Sequence, residues 1–253
     1  MTRLALFALL LAGCGEEAGE GFPINPGGGG GGSGGVTRTD AAVDAGDAIT
    51  MITGRVCVLA ANLRTLSSTG CASTGADNLT VTLGTASAVT AADGTFTLMP
   101  PADTAGLHWT VTDAASGADV VQSLVKLGTT FGSGSATLLP AFDTAAYLQM
   151  VAANNASSDD AGIVVRVTKA GAVVAGATVT TVPAAASEVY YDADTDGTWD
   201  IGAGGTGVNG VAWIPSIAGT SAQLTVTSGT TQATVTGVQL AQGAITFVAA
   251  EIP

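Results

Sequence analysis

Histidine is almost missing from this chain: 253 residues contain one, His108. Every scheme in which an imidazole moves a proton or holds a metal rests on that single side chain. In Leu107-His108-Trp109-Thr110-Val111 the alternation puts Leu107, Trp109 and Val111 inside and His108 outside. A zinc site needs four ligands, and one histidine cannot support it. Glutamate is scarce as well: beyond residue 48 only Glu188 and Glu251 occur, and the aspartates between 192 and 200 are packed as a metal-type cluster, not as two groups across a cleft. No serine sits in a nucleophile elbow, and no Gly-x-Gly-x-x-Gly follows a strand-like run. The expectation is a protein that is not an enzyme.

Basic residues are few. Seven Lys and Arg stand against twenty Asp and Glu, giving a net charge of −13 and a pI near 4.1. Such a surface repels phosphate backbones, so the sequence predicts no nucleic-acid partner. Long apolar runs are absent too. The mean hydropathy of +0.46 comes from Ala and Val spread along the chain, with no run of the ~18 to 20 residues that a spanning helix needs. The Glu, Lys and Leu that clothe long helices are replaced by Thr, Val, Ala and Gly, which suit pleated strands.

The first residues carry an address. Arg3 precedes the apolar run Leu4 to Ala12, and Leu11-Ala12-Gly13-Cys14 follows. This ending resembles a lipobox, which implies cleavage before Cys14 and acylation of its thiol. Residues 1–13 are then a lipoprotein signal peptide. Gly15 in place of Asp implies the outer membrane, with the chain facing either the periplasm or the exterior. Each buried CH₂ contributes about 0.8 kcal/mol, so two or three acyl chains give a stable membrane partner. Residues 14–48 read as a disordered Gly-rich tether, since Gly27 through Gly35, broken only by Ser33, cannot bury enough surface to offset ordering. With Cys14 acylated, Cys57 and Cys71 remain. In an oxidising compartment they are expected to form a disulfide worth roughly 3 kcal/mol; two buried free thiols are the alternative.

The remainder contains a weak internal repeat. One copy has Gly54-Arg55-Val56, Leu79-Thr80-Val81 and then Thr90-Ala91-Ala92-Asp93-Gly94-Thr95-Phe96-Thr97-Leu98. The other has Gly162-Ile163-Val164, Ala177-Thr178-Val179 and Thr206-Gly207-Val208-Asn209-Gly210-Val211-Ala212-Trp213-Ile214. Asp-Gly and Asn-Gly accept positive φ and predict tight turns between antiparallel strands. Further alternating runs lie at 107–112, 120–127, 223–227, 233–238 and 244–248. Only Phe142 to Asn154 reads as helix, capped by Asp143-Thr144.

Gly-x-Val followed by Thr-x-x-Asp-Gly-x-Phe-x-Leu resembles the carboxypeptidase regulatory-like domain. The resemblance implies an all-β fold of two tandem seven-stranded, transthyretin-like (Ig-like) β-sandwich domains. The first spans 49–140 and the second 161–253, with a short helical connector at 141–160. It also implies a structural or adhesive module, with carbohydrate binding among relatives. The second copy departs from the pattern at Asn209 and Ala212.

The second copy is longer between Val179 and Gly210 than the first is between Val81 and Gly94. The added segment holds Asp192, Asp194, Asp196 and Gly197, spaced like the opening of a calcium loop. Ala203 stands where the closing Glu belongs and Asp200 at the ninth position. The segment is therefore either a weak calcium site completed by Asp200 and water, or a solvated turn. Tyr190, Tyr191 and Trp199, with Trp213 expected to point outward as Thr97 does, offer a stacking platform for sugar rings. The alternative is that these rings close the second core. The sequence thus predicts a non-catalytic envelope lipoprotein for structural or adhesive contact with a protein ligand, or else a carbohydrate-binding surface protein, with calcium as the one candidate cofactor.

Overall fold

The computed structural model describes residues 51–59, 76–113, 120–128, 137–192, 199–201 and 204–253. The signal peptide and tether, Cys71, Asp194 and Asp196 lie outside these residues. Asp47–Pro253 form one compact unit, and no helix among the described residues is long and apolar enough to cross a membrane.

The structure is mostly β. In the first copy β1 (Ile52–Leu59), β2 (Leu79–Leu83), β3 (Ala86–Val89), β4 (Thr95–Leu98) and β5 (His108–Asp113) are followed by β6 (Val120–Val121), β7 (Ser123–Lys126) and β8 (Thr137–Asp143). Helix α1 (Thr144–Ala153) comes next. The second copy contains β9 (Ala161–Lys169), β10 (Ala172–Val173), β11 (Thr178–Val182), β12 (Tyr190–Tyr191) and β13 (Asp200–Ile201). It continues with β14 (Val211–Ile217), β15 (Ser221–Ser228), β16 (Thr231–Gln239) and β17 (Ile245–Glu251). The helix forms where the sequence places it, and the Asp143 carboxylate accepts the Ala146 N–H at 2.8 Å as its N-cap.

The repeat is written into the strand pairing. β1 runs antiparallel to β4 and parallel to β8; β9 runs antiparallel to β14 and parallel to β17. β5 lies antiparallel between β2 and β7; β15 lies antiparallel between β11 and β16. The sheets are β4-β1-β8-β6, β11-β15-β16, and a ten-stranded sheet ordered β13-β12-β14-β9-β17-β7-β5-β2-β3 with β10 on β9. That large sheet crosses from one copy to the other where β17 pairs parallel with β7, Ile245 opposite Ser123.

Two details of the repeat differ from expectation. Gly54 stands opposite Phe96, and Val165 opposite Ala212. Phe96 and Ala212 each lie two residues after the turn glycine, so the counterpart of Gly54 is Val165, not Gly162. The volumes compensate. The Phe96 ring lies where a side chain on Gly54 would project, whereas small Ala212 leaves room for Val165, as close packing requires. The second difference concerns the Asp93-Gly94 turn, which is a corner and not a hairpin. It carries the chain from β3 in the ten-stranded sheet to β4 in the four-stranded one. Asn209-Gly210 is likewise no hairpin turn, because β12 lies between β13 and β14 in the sheet. The corner shape follows from hydrogen bonding: Gly94 C=O accepts the Val56 N–H at 2.9 Å and Gly210 C=O the Val167 N–H at 2.7 Å. With φ of +80° and +63°, and with the Val56 and Val167 oxygens 2.8 Å from any added Cβ, neither position accommodates another residue.

Two apolar cores result. One lies between the four-stranded sheet and the β2–β5–β7 part of the large sheet, with Val56, Phe96, Trp109 and Phe142 at its centre. It takes in Tyr147 and Val151 of α1 and Val164, Trp213 and Phe247 of the second copy. The other fills the space between the opposite face of β9, β14 and β17 and the three-stranded sheet, with Ile163, Val165, Ile214, Leu224 and Val248. The second-copy part of the large sheet is therefore apolar on both faces.

Candidate functional site

The aromatic residues of the second copy do come together, but inside the protein. β12 pairs with β14 so that Tyr190 faces Trp213 in register and Tyr191 faces Ala212. The Tyr190 and Trp213 ring centroids are 5.0 Å apart, and those of Trp199 and Trp213 are 5.9 Å apart at 55°. Trp213 is 0% exposed, Tyr190 and Tyr191 are buried, and Trp199 is half-buried. The expected outward Trp213 is thus corrected. Alternation does place it opposite Ala212 and Ile214, but that second face is closed by the first core, not by water. The Tyr190 hydroxyl donates to Asn154 C=O at 3.0 Å, fastening β12 to the end of α1. The Val179 N–H donates to the Tyr191 hydroxyl at 2.9 Å. Burial pushes the Tyr191 phenol pKa up. No open stacking platform is made by these four rings.

His108 shows the same reversal. Trp109 and Val111 face the first core as expected, but His108 is also buried, 5% exposed. The end of β16 lies over its side of the sheet, and the Gln239 N–H donates to His108 Nε2 at 3.3 Å. Desolvation, helped by the Lys126 ammonium, lowers the imidazole pKa. Lys126 in turn donates to Thr236 C=O at 3.0 Å. Both side chains are on the first copy and both partners on the second.

Of the expected calcium ligands, Asp192 directly follows β12 and is 3% exposed, and Asp200 lies on β13 opposite Tyr191. Asp194 and Asp196 are outside the described residues, and no group of three or more metal-type ligands occurs among the described ones. Cys57 is buried on β1 and disulfide-bonded. Cys14 and Cys71 both lie outside the described residues, so the Cys57–Cys71 pairing stands as an expectation.

The residues the sequence reading passed over are the two threonines that open the repeated motif. Thr90 Oγ1 donates to Ala76 C=O at 2.5 Å and accepts the Leu79 N–H at 2.9 Å. Thr206 Oγ1 donates to Val174 C=O at 2.7 Å and accepts the Ala177 N–H at 3.1 Å. Each also pairs through its backbone: Thr90 N–H donates to Leu79 C=O at 2.9 Å and Thr206 N–H to Ala177 C=O at 2.8 Å. Both are buried. Their conserved spacing ahead of Asp93-Gly94 and Asn209-Gly210 was the available signal.

Comparison with known proteins adds little. No family model matches the chain, and no curated protein matches it. Among solved structures, the shaft pilin SpaA from Lactobacillus rhamnosus GG is similar at 10% identity, over 81% of this chain and 98% of that one, with a TM-score of 0.26. Its E269A/D295N double mutant is similar at 8% identity with the same coverages and a TM-score of 0.27. The chain accordingly stands on its own geometry: a β-rich body whose histidine and aromatic residues are largely turned inward.

Proposed function

We propose that this chain is a non-catalytic lipoprotein of the outer membrane, held by acyl groups on Cys14, whose body is a stiff structural or adhesive module. In this reading the body is a tandem of transthyretin-like sandwiches of the carboxypeptidase regulatory-like kind, with a disulfide between Cys57 and Cys71. The observation that carries it is the β17 junction. Strand β17 pairs with β9 over Ile245–Glu251 and with β7 over Ile245–Phe247. The two copies are therefore hydrogen-bonded into one sheet, a construction suited to holding a surface at a fixed distance and orientation. His108 fits the same reading, since its Nε2 is committed to a backbone N–H. No observation favours the carbohydrate reading, because Tyr190, Tyr191 and Trp213 are buried. Calcium at Asp192, Asp194, Asp196 and Asp200 stays a separate proposal, checked by whether a chelator lowers the thermal midpoint.

The test is metabolic labelling of the full chain with an alkyne fatty acid in a Gram-negative host, followed by fractionation. The wild type is expected to carry label and to sediment with outer membranes. Cys14→Ser loses the label and moves to the soluble fraction. An unlabelled, soluble wild type overturns the reading.

A further inference from the structure

The two copies differ at one sheet edge, and the difference leaves a place for a strand. In the first copy β2 has neighbours on both sides, β5 and β3, with Thr80 opposite Val89 and Leu83 opposite Ala86. In the second copy the equivalent strand, β11, pairs with β15 alone among the described residues and forms the edge of the three-stranded sheet. The buried threonine lies at the same point on both edges, Thr90 on Leu79 and Thr206 on Ala177. In the first copy the strand leading into that threonine is β3. In the second copy β13 is the strand before Thr206, and it belongs to the ten-stranded sheet instead.

The edge so left is not blunted. Beyond Ala177, the residues that turn their backbone groups away from β15 are Val179 and Thr181, by the alternation of an antiparallel ladder. The Val179 N–H is taken by the Tyr191 hydroxyl; the Val179 C=O and both Thr181 groups face outward. The strand Thr178-Val179-Thr180-Thr181-Val182 carries no charge, and Val182 is 69% exposed. Native edges are usually protected by lysine, proline within the strand, or a bulge. Alongside runs a groove of about 400 Å³, lined by Val179, Thr181, Ala185, Val189 and Tyr191, with Glu188 its one charged residue.

We propose that the β11 edge is a binding site for an extended peptide strand. The strand pairs antiparallel to β11 as β3 pairs to β2, presents small uncharged side chains to the groove, and carries a basic residue beside Glu188. The first copy supplies the template: β3 is Ala86-Ser87-Ala88-Val89, whose alternate residues Ala86 and Ala88 pack against the core. Backbone pairing gives such a site its affinity, and the groove gives its choice of side chains. A second copy of this chain is a poorer occupant, because each chain brings a net charge of −13 and its own Glu188. The site does not depend on the lipid anchor.

The experiment uses the full chain lacking only the signal peptide, with Cys14→Ser, and a labelled peptide of sequence Gly-Thr-Ala-Ser-Ala-Val-Thr-Ala, which copies residues 84–91. Extended by Lys, the peptide is expected to bind saturably by fluorescence anisotropy and to slow hydrogen exchange at the Thr181 amide. Placing Pro at the Ala86 position of the peptide, which lies opposite the counterpart of Thr181, weakens binding at least tenfold, because it removes a ladder N–H. Extended by Glu instead of Lys, the peptide binds more weakly; in Glu188→Lys, an exposed and structurally quiet change, that order reverses. Binding that fails to saturate, tolerates Pro, or keeps its charge preference in Glu188→Lys overturns the proposal. So does a protein that sediments as a dimer with the Thr181 amide already protected, which would assign the edge to self-association.

Discussion

Thr90 and Thr206 show how much a single hydroxyl can hold. Each is buried, donates to one carbonyl and accepts one N–H, so that the loop entering β2 or β11 is tied to the corner leading into β4 or β14. Valine matches threonine in shape but leaves a buried N–H and C=O without partners, at about 1–3 kcal/mol. Urea denaturation of Thr90→Val and Thr206→Val is expected to show losses in that range for each. A loss below a few tenths would mean that water replaces the hydroxyl. Trp213 makes the opposite kind of contribution, apolar area instead of hydrogen bonds. Trp213→Ala is expected to cost about 3–5 kcal/mol, where an outward indole would cost almost nothing; the same denaturation series decides. The spacing of Thr90 and Thr206 was legible in the sequence, but their role was not. A threonine in a β-rich chain reads as a strand surface residue until the fold shows that its side is closed.

At the scale of elements, the junction between the copies is sensitive to protons. His108 on β5 accepts from the backbone at the end of β16, and Lys126 on β7 donates to Thr236 on β16. The folded state lowers the His108 pKa below its ordinary 6.5, with burial the main cause and Lys126 the second. The unfolded chain therefore takes up a proton first as pH falls. Stability contributed by neutral His108 is fully present above about pH 6.5 and declines below it, until the lowered folded pKa is reached. One proton gives a slope of at most about 1.4 kcal/mol per pH unit. Thermal or urea midpoints measured from pH 7.5 to 5 are expected to fall, and His108→Gln is expected to flatten the dependence in that window. A wild-type curve that is level from 7.5 to 5 would show that His108 takes up its proton equally readily in the folded and the unfolded chain. Asp93 and Glu251 have depressed carboxyl pKa values, held chiefly by hydrogen bonds from Thr95 and Thr168, so their contributions disappear only at lower pH. The periodicity of Leu107 to Val111 gave β5 and its Trp109 face correctly. It erred at His108 because alternation reports which residues share a face, and says nothing about whether the second face is wet.

For the molecule as a whole, the shared sheet makes a single cooperative block the expected behaviour. The core of the first copy includes Val164, Trp213, Ile245 and Phe247 from the second, and the Phe142 and Phe247 rings stack 6.1 Å apart. Calorimetry is expected to give one unfolding transition whose calorimetric and van't Hoff enthalpies agree. Removing 245–253 takes β17 from between β9 and β7 and is expected to destabilise both copies together, so two resolved transitions in the intact chain would count against the block. The sequence by itself determined the strand-rich class, the capped helix, the internal duplication and the positive-φ turn glycines, because alternation, Asp-Gly and Asn-Gly spacing and a carboxylate before a helix act over a few neighbouring residues. Only the tertiary structure decided that Trp213 and His108 are enclosed, that Gly54 answers to Val165, that the glycine turns are corners, that the copies share one sheet and that β11 has, among the described residues, one strand neighbour where β2 has two. Those outcomes depend on which surfaces meet across many residues of chain, and a polar or aromatic side chain takes the same place in a local pattern whether its far side meets water or another layer of protein.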